Sequence, residues 1–111
     1  MALFKIRSSA RDKQTDQQRV SAVLREINAA IASAEKERTA LERRVKDAQD
    51  FAALAVGNDS DEYLSRDPKD TLMIVGHEQQ VLAGRRRIEE LRAHIDGLNA
   101  IRATCVARFP S

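Results

Sequence analysis

His77 and His94 are the only histidines of this chain and Cys105 is its only cysteine. An imidazole can ligate a metal or carry a proton, and a thiolate can act as a nucleophile. Each of these chemistries needs neighbours. On one helix His77 and His94 stand about 26 Å apart, too far to share an ion. Neither belongs to a Glu-x-x-His or His-x-x-x-His pair, which removes the di-iron and zinc patterns. Cys105 has no histidine at helical spacing to take its proton. It reads as a small buried hydrophobe, and a single thiol excludes an intramolecular disulfide framework. Arg85-Arg86-Arg87 is the one basic run. Consecutive helical residues point to different sides, Glu89 and Glu90 offset two of the three charges, and no aromatics interleave for base stacking. The four glycines are scattered, so there is no phosphate loop. The chain is expected to be no enzyme: no catalytic, cofactor-binding or metal-ligating residue, and no cofactor.

Apolar residues recur every three then four positions, in two series. The first runs Val20, Leu24, Ile27, Ile31, Ala34, Arg38, Leu41, Val45, Ala48, Ala52, Ala55. The second runs Ile74, His77, Val81, Gly84, Ile88, Leu91, Ile95, Leu98, Arg102, Cys105, Phe109. A 3.5-residue repeat lays a narrow apolar stripe along a helix, and that stripe needs a partner helix. The composition agrees: 32% charged residues, 4% aromatic, no Trp, and only two prolines in 111 residues, the profile of long helices. The fold class expected is all-α, a long antiparallel two-helix coiled-coil hairpin associating into a four-helix bundle.

The expected organisation is a flexible basic N-terminal segment over 1–14 and a hairpin over 15–109, with a helix at 15–56, a connection at 57–66 and a helix at 67–108. Ser9 with Asp12, and Thr15 with Gln18, both have N-cap spacing; the Thr15 start fits the apolar period better. Gly57-Asn58 offers a C-cap. Asp67-Pro68 starts the second helix, with Asp67 as the cap, and Tyr63 and Leu64 are expected to fold over the end of the hairpin. Six opposite-charge pairs stand four apart along the helices: Glu42/Lys46, Arg43/Asp47, Lys46/Asp50, Arg85/Glu89, Arg86/Glu90 and Arg92/Asp96.

A tight connection sets Leu41 opposite Gly84, Ala34 opposite Leu91, Ile31 opposite Ile95, Ile27 opposite Leu98, Leu24 opposite Arg102 and Val20 opposite Cys105. Large residues then face small ones, as a dense core prefers. Gly84 gains a reason to sit in a helix, where it costs about 1 kcal/mol relative to Ala. Arg38 is expected to lift its charge out of the stripe toward Glu35 or Glu42.

Apolar residues also lie off the stripe: Val23, Phe51 and Leu54 in the first helix, Met73, Val75 and Ile101 in the second. These form the candidate interaction surface, and they make a homodimer or higher homo-oligomer the expected state. A protein partner fits; nucleic acid and membrane are not expected. Nineteen basic groups face seventeen acidic ones, a net +2. Residues 1–15 hold four basic groups against one acid, a local +3, and residues 57–70 hold five acids against two basic groups, a local −3. A folded hairpin thus has a basic open end and an acidic turn. A nucleic acid at the basic end, or a membrane surface at residues 1–8, are the alternatives to protein binding. No apolar run reaches the roughly 20 residues of a membrane span, and no secretory leader is recognisable, so a cytoplasmic location is the default. In architecture the chain resembles the long helical hairpins of secretion and flagellar-export stalks, chaperone tentacles and cytoskeletal adaptors, and suggests a small bacterial accessory protein. The resemblance implies a non-enzymatic adaptor, chaperone-like or scaffold role.

Overall fold

The structure, a computed structural model, describes residues 8–57 and 68–111, with side chains described for 8–54 and 71–111. Two helices pack against each other as a hairpin: α1 spans Ser9–Gly57 and α2 spans Pro68–Arg108. At 1.5 Å per residue, the 49 residues of α1 extend about 74 Å and the 41 of α2 about 62 Å. The all-α hairpin follows from the two apolar stripes, each of which can be removed from water only against the other.

α1 starts six residues before the expected Thr15, so residues 9–14 are helical rather than a flexible arm. Ser8 is the reason. Its hydroxyl accepts a hydrogen bond from the Arg11 backbone N–H at 3.2 Å, the geometry of an N-cap side chain on the third helical residue. Asp12 puts a carboxylate in the first turn, where the helix dipole favours it. The Thr15 hydroxyl instead donates back to the Arg11 carbonyl at 3.0 Å, inside the helix. α2 begins at Pro68, whose missing N–H costs nothing at a first helical position. It ends at Arg108, two residues before Pro110. Asn58, Tyr63, Leu64 and the cap Asp67 lie outside the described residues.

The core is short and central. Ile31, Ala34, Leu91 and Ile95 form one buried cluster, with Ile27, Leu41 and Leu98 packed against it. Ile88 is also buried, and Leu91 is only 2% exposed. The stripe residues Val20, Leu24, Val45, Ala48, Ala52, Ile74, His77 and Val81 are half-buried. Arg102 and Phe109, expected in the stripe, are exposed. Arg102 turns out to bond Asn28, its Nη1 donating to Asn28 Oδ1 at 3.0 Å. Phe109 lies just past the end of α2.

The register departs from expectation toward the turn. A Cβ built on Gly84 would lie 2.6 Å from Cγ2 of Val45, not against Leu41. Gly84 is therefore a point of close helix approach, as expected, but its immediate neighbour lies one helical turn further along α1. A one-turn slip exchanges one stripe residue for the next, so the apolar pattern alone cannot fix it.

Candidate functional site

The two edges of the hairpin differ in chemistry. Along one edge polar groups join the helices. Arg92 reaches Glu42 at 3.7 Å and Glu89 at 2.5 Å, and Arg102 holds Asn28. Arg38 extends toward Glu42, one of its two expected partners, Nε to Oε1 at 3.8 Å. Its Nε is buried without a hydrogen-bond partner. None of the six expected four-apart ion pairs closes; of their arginines, Arg92 instead takes Glu89, three apart, and Glu42, across the hairpin.

Along the other edge stands one bidentate ion pair. Arg87 donates from Nε to Glu37 Oε2 at 2.7 Å and from Nη2 to Oε1 at 3.2 Å. The hydrogen bond from Arg87, with its charge, holds the Glu37 carboxyl below its ordinary 4.5, against a smaller opposing effect of desolvation. Reciprocally, the hydrogen bond to Glu37 raises Arg87, with Glu90 adding a weaker contribution. Both side chains remain about half exposed, at 46% and 48%. Glu37 and Arg87 each sit just before a stripe residue, Arg38 and Ile88. The equivalent positions two heptads away are apolar in both directions: Val23 and Phe51 on α1, Ile101 and Met73 on α2. All four are exposed. Between Phe51 and the ion pair runs a groove floored by Leu41, Val45, Ala48 and Gly84 and rimmed by Arg44, Gln80 and Arg87.

The six residues expected to form an interaction surface are all exposed: Val23, Phe51, Leu54, Met73, Val75 and Ile101. They do not make one patch. Val23, Phe51, Met73 and Ile101 share the edge of the Glu37–Arg87 pair by their position in the repeat, whereas Leu54 and Val75 are displaced around their helices. Leu82 and Val106 are also exposed and were not singled out. Each directly follows a stripe residue, Val81 and Cys105, and that adjacency was the signal that could have found them. Of the expected packing residues, Ala34 and Leu91 share the core cluster, while Leu41 and Gly84 line one groove without facing each other directly.

The residues with intrinsic reactivity are dispersed. His77 packs its ring on Phe51, centroids 4.8 Å apart, with Nδ1 buried and unpartnered. His94 is exposed, and Cys105 is a half-buried free thiol. Among the described residues no group of three or more His, Cys, Asp or Glu is placed to hold a metal ion. No described helix is long and apolar enough to cross a membrane. No known protein family, curated protein or solved structure matches the chain.

Proposed function

We propose that this chain is a non-enzymatic protein–protein interaction module: a self-associating coiled-coil hairpin that serves as an adaptor, chaperone-like factor or scaffold component. One observation carries the reading. Among the described residues ten large apolar side chains are exposed, Leu72 to 71%, while five hydrophobic residues are buried. A two-helix pair has too little interior to bury more, and thin folds gain what they lack from oligomerisation. Four of the ten, Val23, Phe51, Met73 and Ile101, stand along one edge by their place in the repeat, and apolar residues gathered on one side support a contact with another protein. The basic open end gives weaker support to a nucleic-acid role, because Arg102 is already engaged by Asn28.

Sedimentation equilibrium at micromolar concentration tests the reading. At least twice the single-chain mass is expected. A single-chain species alone, persisting to high concentration, overturns self-association.

A further inference from the structure

The geometry points to a second copy of this chain seated on the Glu37–Arg87 edge, related by a twofold axis parallel to the helices, so that the two open ends lie together. This rests on the self-association proposed above and names its face and symmetry.

The edge is spaced symmetrically about its ion pair. Val23 precedes Glu37 by fourteen residues and Phe51 follows it by fourteen; Met73 and Ile101 flank Arg87 by the same fourteen. Two heptads place an apolar pair about 21 Å to either side of the charges. Residues at these positions can be buried only by a surface with the same spacing, and a second copy has it.

Charge chooses between the two dyads that superpose this spacing. A dyad across the helices sets α1 on α1 and α2 on α2. Glu37 then meets Glu37 and Arg87 meets Arg87, like charges at contact distance. A dyad along the helices sets α1 on the partner's α2. Glu37 then meets the second copy's Arg87, Val23 meets Ile101, and Phe51 meets Met73. The bidentate pair becomes a ring of four alternating charges, using the half of each side chain that one chain leaves exposed. Neighbouring helices are antiparallel throughout, as in a four-helix bundle. Glu37 and Arg87 are the charged groups at the centre of this contact, so they decide between the two dyads.

Complementary charge reversal tests this face. Glu37→Arg and Arg87→Glu should each lower the fraction of dimer at least tenfold. Mixing the two variants in equal amounts should restore it, since each supplies the charges the other lacks. The swap within one chain, Glu37→Arg with Arg87→Glu, should dimerise as the parent does, which separates a lost interface from a lost hairpin. Orientation is read with nitroxide labels at Ala10→Cys in a Cys105→Ser background. Labels on the two copies closer than about 40 Å are expected, whereas the opposite dyad sets them about 80 Å apart. Dimers indifferent to both reversals, no recovery on mixing, or the long distance would overturn the proposal. A parent chain that is monomeric throughout would overturn the functional reading beneath it.

Discussion

The middle of the hairpin and its turn-side half obey the same three-four repeat and pack differently. In the middle, Ile31 and Ala34 meet Leu91 and Ile95, and all four are buried. Toward the turn, Val45, Ala48 and Ala52 meet Ile74, His77 and Val81, and none is buried. The repeat tells which side of each helix faces the other, whereas side-chain volume and polarity decide how completely that side is closed. Alternating branched aliphatics with Ala34 lets the central layers interlock. The turn-side layers contain alanines with little area to bury, a glycine, and an imidazole that needs a hydrogen bond it does not find.

The largest expected effect is at the centre. Leu91→Ala should cost about 2–5 kcal/mol, transfer energy plus the cavity left behind, while Ile74→Ala should cost less than half as much; chemical denaturation of both variants measures the difference. Equal losses would mean that the two halves are packed alike after all. Next comes Gly84. Adding a methyl there brings it within 2.6 Å of Val45 Cγ2, and a β-branched side chain in a helix has almost no alternative rotamer. Gly84→Ala should therefore destabilise by about 1 kcal/mol or more despite the better helix former. Val45→Ala in the same chain should make Gly84→Ala neutral or stabilising. A stabilising Gly84→Ala in the parent background would show that the helices do not approach there.

His77→Leu should run the other way, raising stability by about 1 kcal/mol through removal of an unpartnered buried nitrogen beside Phe51; a lower melting temperature would show that Nδ1 has a partner. The smallest effect belongs to Glu37. Its folded pKa lies below the unfolded value, so its contribution is full above about pH 4.5 and disappears as pH falls through the lowered folded value. Glu37→Gln should lower the melting temperature slightly at pH 7 and not at all at strongly acidic pH, seen by thermal melts across that range. A loss unchanged by pH would assign it to packing of the side chain rather than to its charge.

Much of this fold was legible in the sequence, and particular residues show where legibility ends. The stripe positions from Val20 to Ala52 and from Ile74 to Leu98 are all at least half-buried, because the helical period converts directly into a face. The pairing of Gly84 with Val45 rather than Leu41 was not legible, because a slip of one turn preserves the stripe and is resolved only by how the Val45 side chain fits against Gly84. The start of α1 was half legible: the Ser9–Asp12 spacing marked it to within one residue, but residues 9–14 carry no apolar stripe, so the period favoured Thr15. The cross-hairpin ion pairs Glu37–Arg87 and Glu42–Arg92 were not legible, because helical spacing pairs charges only within one helix, while these join residues fifty apart. The exposed apolar residues were legible as a surplus over the stripe. Their division between edges became visible only once the ion pair had marked which edge was which.

The central position of the core also bears on chain entropy. Phe51 and His77, near the turn, close a loop of 26 residues, whereas Glu37 and Arg87, at the edge of the core, close one of fifty. Closure entropy rises only logarithmically, so doubling the loop adds about 0.6 kcal/mol. That is small beside the several kcal/mol the central cluster returns once formed. The hairpin can therefore hold its best packing far from its turn at little entropic disadvantage, and folding is not obliged to zip from the turn outward.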